Sequence, residues 1–419
     1  MRAVIGVDFG TTNSVAAILG PDGAVSTARF AAGDVVEEVF RSVLCFWTEQ
    51  ASGALRHEAG PAAVAAYLDD PLDTRLIMSP KTYLAQRSFT ETRIYGRPFT
   101  LERLIALFLA ELAQRAGLPL AGASIVAGRP VRFAGGHPDE TLALARLRAA
   151  YGEAGFGDVT FALEPEGAGY RFARTLDRAA TVLIGDFGGG TSDFSVLRFE
   201  PGAGMTALGH AGIGIAGDHF DYRIIDRVIC PLLGKGDEYT IMGKRLPVPP
   251  EYFSSFARWH LLSLMRAPRT LRAIAEVARA SEHPQRLEAL IALIEDEMGF
   301  HLYQSVAALK AALSRAPEAV LRFAHGRFVI EQRVTRADFE SWIAPDLARL
   351  DATIERALAE AGHPAIDHVF LTGGTSFVPA VRALFATRFG AATLRAGGEF
   401  VSVAEGLALI GRDRLGRAA

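Results

Sequence analysis

One sixteen-residue pattern occurs twice in this chain. Val4-Ile-Gly-Val-Asp-Phe-Gly-Thr-Thr-Asn-Ser-Val-Ala-Ala-Ile-Leu19 lies without a gap over Val182-Leu-Ile-Gly-Asp-Phe-Gly-Gly-Gly-Thr-Ser-Asp-Phe-Ser-Val-Leu197, with Val, Asp, Phe, Gly, Ser and Leu coinciding. In each copy a short apolar strand reaches an aspartate, a glycine-rich turn follows, and a second strand leads away, which predicts a β-hairpin. A repeat separated by nearly half the chain predicts two related lobes facing each other.

The length of 419 residues points the same way, since it exceeds what one ordinary core accommodates. Half the residues are hydrophobic, 22% are charged and the formal net charge is -3, as in soluble globular proteins. No basic tract or Lys/Arg stripe offers the electrostatic footprint of a nucleic-acid binder, so that class is excluded. Cys45 and Cys230 lack a CxxC partner or a histidine cluster, which excludes a readable disulfide framework or zinc site and predicts two buried thiols. Met1-Arg2 runs straight into strand pattern and Asp8 interrupts any apolar segment, so no signal peptide is read and a cytoplasmic location is expected. The most apolar helical stretch, Leu101 to Leu112, carries Glu102, Arg103 and Glu111 and is too short and too charged to span a bilayer.

Between the hairpins, Leu101-Leu104-Ile105-Phe108-Leu112 makes one apolar helical face ending at Gly117, and Thr141 to Glu153 makes another ending at Gly155. Ser124 to Val126 and Val159 to Leu163 read as strands, and the alternation predicts an α/β lobe. Residues 34 to 100 are less regular and predict a small inserted subdomain. Past the second hairpin, Phe220 to Val228 looks helical. Residues 231 to 255, with Pro231, Pro247, Pro249 and Pro250, read as an irregular connection. Arg258 to Phe300 is strongly helical and predicts a helical insertion in the second lobe. Strand Val369-Phe370-Leu371, turn Gly373-Gly374 and helix Val378 to Phe389 return to α/β logic, and Gly397 to Gly411 closes the chain as a helix.

The chemistry follows from the turns. Gly10-Thr11-Thr12-Asn13 presents consecutive backbone N–H groups and two hydroxyls, a nest for anionic oxygens, and glycine lets backbone approach a phosphate with no Cβ in the way. Gly188-Gly189-Gly190-Thr191 repeats the device, so a polyphosphate can be clamped from both sides. Asp8 and Asp186 end their strands beside it, and carboxylates next to a polyphosphate imply a bridging cation, for which Mg²⁺ held through water fits best. A third run, Leu371-Thr372-Gly373-Gly374-Thr375-Ser376, joins a strand to a helix start, where free N–H groups accept a nucleoside or phosphate. Any one of these runs is also an ordinary hairpin or turn; the three together favour nucleotide binding.

These motifs resemble the nucleotide-binding domain of the seventy-kilodalton heat-shock chaperones of DnaK type, in the actin and sugar-kinase ATPase superfamily. Val7-Asp-Phe-Gly-Thr-Thr-Asn-Ser14 resembles that family's first phosphate motif, Gly185-Asp-Phe-Gly-Gly-Gly-Thr-Ser-Asp193 its second, and Thr372-Gly-Gly-Thr-Ser-Phe-Val-Pro379 its adenosine motif. Glu164-Pro165 with Gly167-Ala168-Gly169 resembles the segment joining the lobes. The likeness covers essentially the whole chain and implies a two-lobed actin-like ATPase fold of class α/β, built from duplicated ribonuclease-H-like domains. The implied layout is a first lobe at 1–176 with 34–117 inserted, a second lobe at 177–396 with a helical insertion at 217–328, and 397–419 as a helix packing back on the first lobe.

The same resemblance implies ATP or ADP with Mg²⁺ as ligands. Lys81 matches a lysine that contacts the γ-phosphate, and Glu164 an acid beside the attacking water, although on residue grounds alone they read as a surface lysine and a solvated loop acid. Thr11 and Thr191 are implied to contact phosphate, Asp8 and Asp186 to hold the metal through water, and Asp193 to orient water or metal. Gly217, Lys310, Ser314, Gly373, Gly374, Thr375 and Phe377 are implied to line the nucleoside site. There the chain departs from the family: Ala307 replaces a Glu, Ala311 and Phe377 replace Arg, and Phe400 replaces an Asp. Phe377 reads either as a stacking ring in place of a cation–π contact or as a core residue. The length matches short bacterial chaperone-like proteins of the YegD type, which implies a chain without the β-rich peptide-binding domain. The expected activity is slow ATP hydrolysis coupled to lobe opening and to a protein partner or client, with neither nucleic acid nor membrane involved. A small-molecule, sugar-type kinase of the same superfamily is the alternative, and a filament-forming actin relative ranks third.

Overall fold

The first copy of the repeat opens a sheet in the order β5-β4-β1-β2-β3, from β1 (Val4–Asp8), β2 (Asn13–Leu19), β3 (Val25–Thr27), β4 (Ser124–Arg129) and β5 (Val159–Leu163). β1, β2 and β3 run antiparallel in sequence, while β4 and β5 add in parallel on the other side of β1. The second copy does the same with β6 (Ala180–Phe187), β7 (Ser192–Glu200), β8 (Gly204–Ile213), β9 (His368–Thr372) and β10 (Leu394–Arg395), in the order β8-β7-β6-β9-β10. Again the three consecutive strands are antiparallel and the two later ones parallel. Along these five-strand paths the two sheets share one topology, the first adding Phe40–Arg41 against β2, so the repeat reaches well beyond the turns. Val4, Ile5, Val7, Val182, Leu183 and Ile184 are all buried, the unbroken apolar run expected of central strands covered on both faces.

The computed structural model describes residues 3–20, 22–32, 35–71, 73–157, 159–200, 204–258, 261–395 and 401–418. The chain divides into two compact units, one of Met1–Gly217, Ala348–Phe377 and Val381–Ala419, the other of Asp218–Leu347 and Val378–Ala380. Both five-membered strand orders lie in the first unit.

Within the first unit, α1 (Leu101–Arg115) buries Leu101, Leu104, Ile105, Phe108, Leu109 and Leu112 as a single stripe, and the Thr100 side chain caps it by accepting from the Arg103 N–H. It ends before Gly117, whose φ of 59 turns the chain away. α2 (Glu140–Glu153) is capped by Asp139, which accepts from the Leu142 N–H. α3 (Glu164–Ala173) starts directly from β5. The last helix, α4 (Ser402–Ala418), packs with α3 against both sheets: Val403, Leu407 and Ile410 share one buried cluster with Val126, Ala168, Ile184, Leu197 and Phe370. The approach is so close that a Cβ on Gly406 would lie 1.7 Å from the Gly167 carbonyl oxygen. Gly406→Ala is therefore expected to destabilise the chain by about 3 kcal/mol or more, at the upper end of overpacking costs; a melting midpoint equal to wild type would show that the helices separate freely.

The irregular reading of residues 34 to 100 needs correction. Val43–Thr48, Leu55–Ala59 and Thr74–Met78 form a three-stranded sheet with a helix at Gly60–Asp69, and Glu91–Ile94 pairs with Arg97–Thr100. Phe30, Phe40, Leu44 and Phe46 join the core beneath β1. In the second unit, residues 231 to 255 are not irregular throughout, because Glu238–Ile241 and Lys244–Pro247 pair as a hairpin before a helix at Pro250–Phe256. The prolines mark the edges of these elements, with Pro249 and Pro250 serving as helix-start residues. Helices at Pro268–Ala280, Pro284–Glu295 and Gly299–Leu313 follow, then a second hairpin of Glu318–His325 with Phe328–Thr335. The helix Arg336–Glu360 was not anticipated, since Pro345 lies inside it and reads in sequence as a breaker. Cys45 and Cys230 are buried free thiols, as expected.

Candidate functional site

The two sheets bring the repeated turns together in the first unit. A Cβ on Gly190 would sit 3.5 Å from the Thr11 hydroxyl oxygen, so the turn of the second hairpin faces that of the first. Thr11 and Thr191 are both buried there. The turn after β1 is held from outside its own sequence. Ser42 donates its hydroxyl to the Gly10 carbonyl at 2.7 Å and lies 2.9 Å from the Ser14 hydroxyl. Ser79 donates to the Thr11 carbonyl at 2.6 Å. Ser79 itself adopts φ 47 and opens the short 3-10 turn Pro80–Tyr83, which carries Lys81.

Lys81 is neither a surface lysine nor is Glu164 a solvated loop acid. Their side chains meet at 2.6 Å, and the residues are 8% and 6% exposed. Glu164 is the first residue of α3, fixed where β5 ends, with Pro165 next to it in the first turn.

Around this pair stand three more acids, Asp193 buried and Asp8 and Asp186 half-buried. Burial, then the charge of Glu164, pushes the Asp8 carboxyl up to about 7 against the pull of Lys81. Burial and Glu164 push Asp193 up to about 8, although it accepts from the Arg132 backbone N–H at 3.2 Å. Asp186 is held well above the usual carboxylate range by burial, then by Glu164, Asp8 and Asp193. Burial pulls the Lys81 ammonium down, but Glu164 and Asp8 outweigh it and leave its pKa raised. Four acids thus surround one lysine in a desolvated pocket, an excess of negative charge that suits a cation. Among the described residues no three His, Cys, Asp or Glu side chains form a direct metal cage, and carboxylate oxygens are the kind of donor that a hard divalent cation takes. Tyr151 is a further buried neighbour. Its hydroxyl has no hydrogen-bond partner among the described residues, and burial followed by the charges of Asp8 and Glu164 drives its pKa far up.

The third motif adjoins the second hairpin. Thr372 pairs in register with Asp186, and Gly373, at φ 84, lies so close to β6 that a Cβ would fall 2.0 Å from the Phe187 carbonyl oxygen. Only glycine permits both the left-handed backbone and the contact. Gly374–Phe377 then forms a 3-10 turn in which Thr375 and Ser376 are buried; the Ser376 hydroxyl has no hydrogen-bond partner among the described residues. Phe377 is 43% exposed, which removes its reading as a core residue.

Lys310 and Ser314 fall in the second unit, whereas Gly217 and Gly373 to Phe377 fall in the first. Lys310 lies 2.8 Å from the buried Asp221, to which Tyr303 also donates at 2.7 Å. Ser314 donates its hydroxyl to the Lys310 carbonyl at 3.1 Å. Phe400 lies outside the described residues. Ser42, Ser79, Arg132 and Tyr151 were not singled out from sequence; each is a lone residue far from the motif it supports, with no spacing to betray it.

This is a mixed α/β chain with an acid-rich site where its two like sheets meet. The Hsp70 protein family model matches residues 290–413. A chaperone protein HscA homolog of Bordetella petrii is 26% identical over 417 aligned residues, covering 93% of this chain and 54% of that protein. Chaperone protein DnaK of Thermus thermophilus is 25% identical over 408, covering 91% and 56%, and DnaK of Thermotoga petrophila is 25% identical over 401, covering 92% and 55%. The chain is thus homologous to DnaK and HscA chaperones over most of its length, and it spans about half the length of these curated relatives. Among the described residues no helix is long and apolar enough to cross a membrane.

Proposed function

We propose that this chain is a chaperone-like ATP-binding protein that slowly hydrolyses ATP to ADP and phosphate at the paired hairpins and couples nucleotide state to a protein partner. The observation that carries the reading is the buried Lys81–Glu164 pair, 2.6 Å apart, beside Asp8, Asp186 and Asp193. On this reading the N–H groups of Gly10 to Asn13 and Gly188 to Thr191 bind phosphate oxygens, with Thr11 and Thr191 adding hydroxyls. Lys81 offers its charge to the terminal phosphate, and Glu164 orients the attacking water. Asp8 and Asp186 hold Mg²⁺ through water. Bound there, the ion offsets the charge gathered on the phosphates and the carboxylates. Asp193, whose pKa of about 8 lets it carry a proton at neutral pH, can exchange that proton with the water or the product. Such groups act by position and charge rather than by covalent chemistry.

The matching strand orders support reading the two sheets as duplicated ribonuclease-H-like lobes, with residues 217–328 as the helical insertion. We further read Gly373, Gly374, Thr375 and the exposed Phe377 as the nucleoside platform, with ring stacking in place of a cation–π contact.

Calorimetric titration of the full chain with ATP tests this. Binding in the micromolar range or tighter is expected with Mg²⁺, weakened by about tenfold or more in its absence, since each 1.4 kcal/mol is tenfold. No heat at high protein concentration sinks the proposal. Transfer of the γ-phosphate to an added sugar in preference to water favours the small-molecule kinase instead.

A further inference from the structure

A cavity of about 770 Å³ opens at the carboxyl end of β4, lined by Arg129, Arg132, His137, Glu140, Thr141 and their neighbours. Crevices outside the carboxyl ends of parallel strands are where α/β sheets receive ligands, and this volume suits a small molecule. None of the phosphate motifs contributes to its lining. We propose that it is a second anion site, taking a phosphoryl dianion in the form of free orthophosphate or a small phosphomonoester, and that its occupancy is felt at Asp193.

Three cationic or protonatable side chains meet one carboxylate here; one of its oxygens is hydrogen-bonded, and the other is buried with no hydrogen bond among the described residues, facing Arg129. Glu140 accepts from the Phe133 N–H at 3.1 Å and lies 3.7 Å from Arg129. Arg132 spends one N–H on the Gly136 carbonyl at 3.4 Å, a long bond that leaves most of its fork unused. His137 is exposed and makes no hydrogen bond or ion pair among the described residues. Arg132 reaches the neighbouring acid Asp193 through its backbone N–H, so its guanidinium is not spent on that contact. The guanidiniums therefore serve the cavity, and the fork geometry of arginine matches a phosphoryl group.

The link to the cleft is short. The Arg132 N–H holds Asp193 at 3.2 Å, and Arg129 pairs in register with Leu163, the residue before Glu164. An anion that draws in the Arg129 and Arg132 side chains thereby bears on the backbone that positions both acids.

The test titrates the full chain with orthophosphate and, separately, with glycerol 3-phosphate, in the presence of Mg²⁺ and a saturating non-hydrolysable ATP analogue. The analogue fills the hairpins, and its own binding heat, measured first, tests the nucleotide reading independently. About one anion per chain is expected to bind on top of the analogue. Arg129→Gln with Arg132→Gln weakens it about tenfold or more, His137→Gln on the exposed loop weakens it about threefold, and Arg322→Gln, which is not part of the cavity lining, changes nothing. Preference for orthophosphate identifies the occupant as hydrolysis product, and preference for the ester identifies an effector or acceptor from solution. Absence of anion binding once the analogue is bound, or equal binding by wild type, the double variant and His137→Gln, overturns the proposal.

Discussion

Lys81→Ala is expected to lower ATP turnover by about 10²- to 10³-fold, the scale seen when one preorganised charge stabilising a transition state is removed, while ATP affinity stays within about threefold of wild type. The expectation rests on the Lys81–Glu164 pair, which is buried at 2.6 Å among further acids, whereas the phosphate grip proposed above comes from backbone N–H groups of the two turns. The same substitution leaves Glu164 unpaired beside Asp8 and Asp186, and breaking a buried pair typically costs about 3–5 kcal/mol. Stability and turnover therefore have to be separated. Lys81→Ala with Glu164→Gln removes both charges, so it recovers most of the lost stability and none of the turnover. Single-turnover hydrolysis and thermal melts of the three proteins decide it: wild-type hydrolysis by Lys81→Ala removes the lysine from the chemistry, and hydrolysis recovered by the double variant marks the pair as scaffolding.

The second large effect is on stability against pH. Asp8 and Asp193 have folded-state values raised to about 7 and about 8, far above an unfolded carboxyl. Below the unfolded value both states hold the proton and neither residue is penalised. Between that value and the folded one the native state binds more protons, so stability falls as pH rises. The nucleotide-free chain should lose stability through this window up to about pH 8 and level off above it. Asp8→Asn removes one of the crowded charges. It is expected to raise the melting temperature of the nucleotide-free chain at pH 8 by roughly 2–4 °C, and to leave it nearly unchanged at pH 4, where the native Asp8 carboxyl is protonated. Mg²⁺ with ATP should raise the melting temperature of wild type more than that of the variant. A melting temperature for Asp8→Asn below wild type at pH 8 would show that the ionised carboxylate stabilises the empty site, contrary to the charge crowding described above.

A site that is less stable when empty is a common companion of function, and part of this one was legible in sequence. The hairpins were readable because the pattern is strong, local and present twice; Asp8 and Asp186 stand at matching positions of strands that could be drawn from apolar runs alone. The strand–helix alternation of residues 101 to 163 was readable for the same reason. Lys81 and Glu164 were not, since isolated charged residues carry no period, and only the resemblance to a known family singled them out. Their burial corrected the residue-level reading of both. Ser42 and Ser79 could not have been found, because their role is to reach across 32 and 68 residues of sequence to two carbonyls. The hairpin of residues 238–247 and the helix through Pro345 were missed for a different reason: proline is a strong local signal, and tertiary packing overrode it.

The shared strand order of the two sheets hides a difference in timing. The first sheet draws on nothing beyond Leu163, so all of its strands are synthesised before β6 begins at Ala180. The second cannot close so early. β6 finds β7 at once, but its other neighbour, β9, begins only at His368, about 180 residues after Phe187, a wait of roughly 10–40 s at ordinary rates of synthesis. Throughout that interval Val182 to Asp186 present an open, apolar strand edge, the kind that pairs with whatever strand it meets. The nascent chain thus carries, between the synthesis of β6 and that of β9, a segment in need of cover.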